Sequence, residues 1–450
     1  MNFLEELANQ KIAVVGAGVT GSAVLDFLVT RGVTADLYDE KAPNAKRFVD
    51  ASYDLAIVSP GWRVDHPIIM ALREAGAQLI SEIDFSWKVK EVVAPDQRWI
   101  ALTGTNGKTT TVQMVQSIFD YSAQSGVACG NVGEPVISVL ASGERYDVLA
   151  LELSSFQLEW SSLPRYEAVA LLNIAPDHID WHGSFDNYAM AKLKLLEASS
   201  VAIINGEDSE SVLRSSAWNG KKVFYFLDTP QPGELGLVEN LLVDRAFTAD
   251  PTIATDFAEL SDIHPTVPHN VSNAMAAAGL ALAIGISHEE IREGLQNFTL
   301  DHHRLELVLE SEGVAWVNDS KATNPHAAAA ALLSHISSIW IAGGLAKGAE
   351  MGPLIERCAL RIKAAILIGQ DAPIIATALS KFAPTVPYFI MPFSGDSEDL
   401  MRSVVKQAKE LATSGDTVLL APACASMDQF RDYADRGEKF VAMVREVVGQ

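Results

Sequence analysis

Over residues 11–90, short apolar runs alternate with amphipathic stretches. "KIAVV" reads as a strand, "TGSAVLDFLVTRG" as a helix with one apolar face, and "TADLYD" as a second strand. "LAIVSPG" is a third strand running into a turn, and this alternation predicts a doubly wound sheet. The polar stretch around "KEVVAPDQR" predicts a linker. The pattern restarts at "WIALTGTNGKTTTVQMVQSIFD" as strand, loop and helix, with further strands at "YDVLALELS", "AVALLNIAPDH" and "VAIIN". A helical run, "NVSNAMAAAGLALAIG", leads to the close of this segment near 300. The last third restarts at "VAWVNDSKATNP", with strands at "SIWIAGG", "AAILIG" and "DTVLLAPA" separated by helical runs. No repeat of fixed period is visible. The expectation is an α/β protein of three domains, 1–92, 93–299 and 300–450.

Composition agrees with several packed cores. The chain has 450 residues, too many for one core, and 48% of them are hydrophobic. Its longest apolar runs, such as "VISVLAS", fall well short of a membrane span. The opening "MNFLEELANQKIAVVG" carries an acidic pair where a signal peptide is basic, which predicts a cytoplasmic protein. Cys129, Cys358 and Cys424 lie far apart, so neither a disulfide frame nor a thiolate zinc site is expected. A net charge of −23 argues against nucleic acid or an anionic membrane as partner. It also means that a phosphorylated substrate must be held by local cations and helix N-termini.

Two glycine-rich turns carry the first chemical signals. "TGTNGKTT" (Gly104, Thr105, Asn106, Gly107, Lys108, Thr109, Thr110) follows an apolar strand and opens a helix. There, backbone N–H groups and the helix N-terminus converge on an anion. Lys108 would neutralise β/γ-phosphate charge, and Thr109 or Thr110 would hold Mg²⁺. The loop lacks the first glycine of G-x-x-x-x-G-K-[ST], since Leu102 stands five before Gly107. "GAGVTG" (Gly16, Gly18, Gly21) also joins a strand to a helix, and Asp39 lies where a ribose-binding carboxylate would sit. Alone, this favours a dehydrogenase, although the turn accepts any pyrophosphate.

Further along, "LELSSFQLE" puts Glu152 at a strand end, suited to Mg²⁺ or to a helix cap. "NIAPDHIDWHGSFDNYAMAKLKLLE" brings Asp177, His178, Asp180, His182, Lys192 and Lys194 together. His178 and His182 have the spacing of a helical zinc pair, but Pro176 and Gly183 favour a loop, and no third ligand is well spaced. A neutral lysine beside metal ions can take up CO₂, giving a carbamate that bridges cations as a carboxylate does. "DHHRLE" and "VNDSKATNP" crowd polar groups around the start of the third segment, as turns or as the walls of a cleft.

Taken in order, "GTNGKTT", "ELSSFQL", "DHIDWHG…AKLK", "HNVSN", "HHRLE" and "NDSKATNP" resemble the Mur ligases, the ATP-dependent amino-acid ligases of peptidoglycan precursor synthesis. The motifs run over nearly the whole chain, and the short phosphate loop is this family's own form. "NDSKATN" and "PACASMDQF" look like the branch that adds D-glutamate to UDP-N-acetylmuramoyl-L-alanine. The resemblance implies a Rossmann-like N-terminal domain holding UDP rather than a nicotinamide, a central P-loop ATPase-like domain binding ATP, and a Rossmann-like C-terminal domain receiving the amino acid. It implies Lys108 on the ATP phosphates, Thr109 with Glu152 on one Mg²⁺, and His178 with a carbamylated Lys192 on a second. Lys194 competes, but "AMAKL" aligns Lys192 with the family's modified lysine. Asn270, Asn273, Arg304 and Asp319 fall at ATP-site positions, and Asn131 at a UDP-sugar contact. Thr323, Lys347 and Ser426 match groups receiving the glutamate carboxylates, and Tyr433 stands where phenylalanine is common. Ser59 and Gly61 of "VSPGW", with Asp39 to Lys41, fall at uracil and diphosphate contacts. A monomer is the family expectation.

Overall fold

The computed structural model describes residues 2–449. Among them, three sheets carry the fold. The first has four parallel strands in the order Ala35–Tyr38, Ile12–Val15, Leu55–Val58, Gln78–Ser81. Its central strands, IAVV and LAIV, are buried at every position, as expected of a parallel sheet covered on both faces. The second sheet has nine strands and is parallel from Gly126–Gly130 through Val148–Glu152, Arg98–Thr103, Ala168–Leu171, Val201–Asn205 and Lys221–Tyr225 to Leu235–Val238. Two antiparallel strands, Leu241–Asp244 and Thr255–Glu259, extend its edge. The third sheet pairs Glu306–Ser311 antiparallel with Val314–Asn318, then runs parallel through Thr417–Leu420, Ser338–Gly343, Ile362–Ile368 and Tyr388–Ile390. Within Ser338–Gly343, Trp340 and Ala342 enter one core while Ile339 and Ile341 enter the other, the period-two alternation of a strand.

By packing, the chain falls into two units. One holds the residues up to Ile174, Trp181–Thr266 and Asn270–Phe298; the other holds Ala175–Asp180, Val267–His269 and the chain from Thr299 onward. The first unit therefore carries both the four-stranded and the nine-stranded sheet.

The first four residues of the expected linker "KEVVAPDQR" close a helix, and 94–97 connect it to the strand Arg98–Thr103. Glu82–Val93 forms one helix, capped by Ser81 Oγ, which accepts from Asp84 N at 2.9 Å. Lys90 is buried, with Nζ donating to Pro95 O at 2.7 Å, so the polar letters mask an inward-facing ammonium. Ile83 of this helix packs against the nine-stranded sheet's core, and Phe85 and Val89 against that of the four-stranded sheet. Asp84 adds a polar clasp, its Oδ1 accepting from Ser161 Oγ, Ser162 N and Leu163 N at 3.0, 2.9 and 3.0 Å. One helix thus ties the two sheets together.

Candidate active site

The strand Arg98–Thr103 ends at the loop 104–107, and the helix Lys108–Asp120 begins at once. Gly107 makes this turn at φ +84°, in the left-handed region that glycine enters without strain. A Cβ there would lie 2.4 Å from Asn273 Oδ1, so the Asn273 side chain of the helix Pro268–Ala283 would have to move to admit one. Asn173 locks the loop from the other side. Its Oδ1 accepts from Asn106 N at 2.8 Å, and its Nδ2 donates to Asn106 O at 3.1 Å. Thr105 Oγ1 pairs with Tyr188 OH at 2.9 Å. Asn173 and Tyr188 stood in quoted motifs, but no spacing rule singled them out; their role appears only when the strand Ala168–Leu171 and the helix Phe185–Glu197 pack beside the loop.

Two lysines meet at the foot of the loop. Lys108 Nζ donates to Gly104 O at 2.8 Å and to Thr105 O at 3.0 Å. Lys192 Nζ, fully buried, also donates to Gly104 O at 2.8 Å and sits 4.7 Å from the centre of the Tyr188 ring. Two ammonium groups on one carbonyl oxygen repel each other in a low-dielectric setting. Lys194, two positions on, points elsewhere and pairs with Glu159 at 3.0 Å.

Glu152 ends its strand fully buried, and its Oε1 accepts from Asn131 Nδ2 at 3.1 Å. Among the described residues, its Oε2 has no hydrogen-bond partner. An orphaned buried carboxylate oxygen costs free energy unless something compensates it, and a hard divalent cation does so. No three His, Cys, Asp or Glu side chains among the described residues converge as a ready-made metal centre. A cation here would depend on one carboxylate, a hydroxyl and the ligand's own phosphates, which is the usual habit of Mg²⁺. Asn270 is buried, its Nδ2 donating to His264 O and Pro265 O, both at 3.1 Å.

On the four-stranded sheet, Asp39 does not present a free carboxylate to a ribose. Its oxygens accept from Ala17 N at 2.9 Å, Lys41 N at 2.8 Å and Ala42 N at 3.0 Å, bonds that hold its carboxyl below the usual range. It braces the glycine turn instead. Ser59 Oγ lies against that turn, within 2.7 Å of where a Cβ on Gly16 would stand.

His178 falls in the second unit, at φ +51°, with its N donating to Asp177 Oδ1 at 2.9 Å. The expected loop around it contains one helical turn, Ile179–His182, and His182 is buried with Nε2 3.0 Å from Ser155 Oγ. His178 and His182 therefore do different things.

Four of the remaining second-unit candidates ride on loops at the carboxyl ends of three neighbouring strands, where ligands of open α/β sheets bind. Asp319 and Thr323 follow Val314–Asn318, Lys347 follows Ser338–Gly343, and Ser426 follows Thr417–Leu420. Burial pushes the Asp319 carboxyl up to about 7, against the opposing pull of Leu305 N–H and Arg304. Several residues here hold left-handed backbone without being glycine: His303, Leu305, Lys347 and Ala423, at φ +68°, +44°, +50° and +60°. Such strain persists where surrounding structure over-determines it, and it clusters at functional sites. Tyr433 stacks under Lys321, whose Nζ lies 3.8 Å from the ring centre.

Arg436, which no motif pointed to, ties these loops together. Fully buried, it donates to Ser320 Oγ and O at 3.0 and 2.9 Å, to Cys424 O at 3.2 Å and to Gly343 O at 3.4 Å. Burial lowers its guanidinium to about 10. The signal was an arginine on the stripe shared with Phe440, Met443 and Val444 of the amphipathic helix Tyr433–Val447, a place where a charge must have a purpose.

With this geometry in view, the relatives are informative. Residues 102–281 match the pattern of the Mur ligase middle domain, and 303–424 that of the Mur ligase glutamate ligase domain. A UDP-N-acetylmuramoylalanine–D-glutamate ligase of Thermobifida fusca is 44% identical, covering 99% of this chain and 100% of its own. The chain belongs to the Mur ligases. An enzyme of the same name from Streptomyces coelicolor is 44% identical over 88% of this chain and 85% of its own. Solved Mur ligase structures share the fold at lower identity. The UDP-N-acetylmuramate–alanine ligase of Thermotoga maritima superposes with a TM-score of 0.58 at 17% identity, covering 97% of this chain and 99% of its own. MurF of Acinetobacter baumannii gives 0.60 at 19%, covering 88% and 91%.

Proposed function

We propose that this Mur ligase joins D-glutamate to UDP-N-acetylmuramoyl-L-alanine at the expense of ATP, in the cytoplasm, during synthesis of peptidoglycan precursors. Full-length similarity to enzymes of that name supports the substrate, and one local observation carries the chemistry. Lys108 and Lys192 share Gly104 O in the loop 104–107, and Glu152, paired with Leu102 on the neighbouring strand, carries an orphaned buried oxygen.

A carboxylate is a poor electrophile. The γ-phosphoryl group therefore passes first from ATP to the alanine carboxylate, releasing ADP and forming an acyl phosphate. The D-glutamate amine attacks that carbonyl, the new C–N bond forms, and the C–O bond to phosphate breaks as the amine gives up its proton. The protein's task is to position the reactants and to stabilise charge. Lys108 and the N-terminus of the helix Lys108–Asp120 bind phosphate oxygens. Thr109 and Glu152 would hold one Mg²⁺, and Lys192 is assigned to a second; Mg²⁺ would neutralise phosphate charge. A carbamate on Lys192 would turn the Lys108–Lys192 repulsion into attraction. Asn270, Asn273, Arg304 and Asp319 are assigned to ATP, and Ser59, Gly61 and Asn131 to the UDP-sugar. Thr323, Lys347, Ser426 and Tyr433 are assigned to D-glutamate.

The test is phosphate release from ATP with UDP-N-acetylmuramoyl-L-alanine, comparing D-glutamate, L-glutamate, meso-diaminopimelate, L-lysine and buffer. Release that depends on D-glutamate is expected. Release with another amino acid would move the chain to a different Mur branch, and release with none would remove the reading.

A further inference from the structure

The loop 59–63, which the functional reading assigns to the UDP-sugar through Ser59 and Gly61, is fastened to the body of the nine-stranded sheet at three points. Trp181 Nε1 donates to Gly61 O at 3.2 Å, and Trp160 Nε1 donates to Trp62 O at 2.9 Å. In return, Arg63 Nη1 donates to Trp181 O at 2.8 Å, while Asp65 grips the other side of the guanidinium at 2.9 and 3.1 Å. All of these residues lie in the first unit.

Trp181 is also the first ring of an aromatic series that ends at the phosphate loop. Its ring centre lies 4.5 Å from that of His182, and His182 lies 5.4 Å from Tyr188. Phe156 backs the series, 4.9 Å from Trp181 and stacked on His182 at 5.6 Å. His182 is fixed by Ser155 Oγ at 3.0 Å, and its carbonyl accepts from Asn187 Nδ2 at 2.9 Å. Tyr188 then meets Thr105 Oγ1 through its hydroxyl at 2.9 Å and Lys192 Nζ through its ring at 4.7 Å. Packed rings of this kind do not deform continuously, so a shift at one end displaces the other.

We propose that Arg63 and Trp181 are positioning residues that hold the 59–63 loop for the UDP-sugar, and that the Trp181–His182–Tyr188 series couples this loop to the ATP phosphate loop. The proposal rests on the functional reading given above. It assigns separate jobs to the two parts of Trp181. The indole N–H fixes the 59–63 loop, and the ring transmits to Thr105 and Lys192.

Three full-length variants separate these jobs. Arg63→Ala removes the bond to Trp181 O together with the pair to Asp65, Trp181→Phe removes the bond to Gly61 O, and both leave a ring at 181. Each should raise KM for UDP-N-acetylmuramoyl-L-alanine about fivefold, with kcat and KM for ATP unchanged. Trp181→Leu removes the ring as well, and should also raise KM for ATP. Hydrogen exchange on the unliganded proteins reads the same division without turnover. Arg63→Ala and Trp181→Phe should speed exchange in 59–63 alone, and Trp181→Leu should speed it in both 59–63 and 104–108. Unchanged KM for the UDP-sugar in all three variants, or unchanged exchange in 59–63, would overturn the positioning role. Wild-type exchange at 104–108 in Trp181→Leu would overturn the coupling. A wild-type chain that releases no phosphate would count against the functional reading instead, and the exchange measurements would still decide the strap.

Discussion

At the scale of single residues, the decisive feature is where Lys192 points. It lies buried against Gly104 O and the Tyr188 ring, whereas Lys194 leaves the same helix toward Glu159. Two positions on a helix are about 200° apart, so neighbouring lysines of one motif cannot serve one site. Replacing Lys192 with Ala should nearly abolish turnover, and short carboxylic acids added to the assay should restore part of it by filling the carbamate's place. Phosphate release with and without acetate or formate checks this, and full activity in Lys192→Ala would remove the carbamate from the mechanism. The sequence offered both lysines, and resemblance preferred one. Burial gives a physical reason for that preference.

At the scale of elements, the strand–loop–helix unit 98–120 was legible because its parts are coded locally: an apolar strand, a glycine turn and an amphipathic helix. What the code left out is the tightness of the turn. Gly107 combines a positive φ with the near contact to Asn273. Gly107→Ala should therefore cost roughly 1–3 kcal/mol of stability and raise KM for ATP, since the Asn273 side chain must move to admit a methyl group. Calorimetry and steady-state kinetics on the variant would show it; wild-type values in both would mean that the loop yields freely. Other elements were less legible. The edge strands Leu235–Val238, Leu241–Asp244 and Thr255–Glu259 are four or five residues long and lack a clean alternation, so no period rises above the surrounding loop. The end of Glu82–Val93 looked like a linker because its charges were counted as solvated, while Lys90 turns inward to Pro95 O.

The whole molecule carries a net charge of −23, yet the proposed substrates are anions. In the proposed reading, Lys108, Arg304 and Lys347 attract them locally against a repulsive field. Raising monovalent salt from about 10 mM to about 150 mM shortens the Debye length from about 30 Å to about 8 Å and weakens that long-range repulsion first. We expect kcat/KM for the UDP-sugar to rise over this range with Mg²⁺ held constant. A fall would mean that the local cations dominate the approach.

The sequence by itself determined the α/β class, the central strands of the three sheets, and the glycine loop with its lysine. These follow from periodicity and turn chemistry within a few residues, and the motif order was enough to bring out the family resemblance. Only the tertiary structure decided which groups share a site. Asn173 and Tyr188 on the phosphate loop, the brace made by Asp39, and the fully buried Arg436 behind three loops all involve partners far apart in the chain. A polar side chain looks much the same in a sequence whether it faces water or a buried carbonyl. Its partner, and so its role, is chosen when the sheets and helices pack and every desolvated polar group has to find a counterpart.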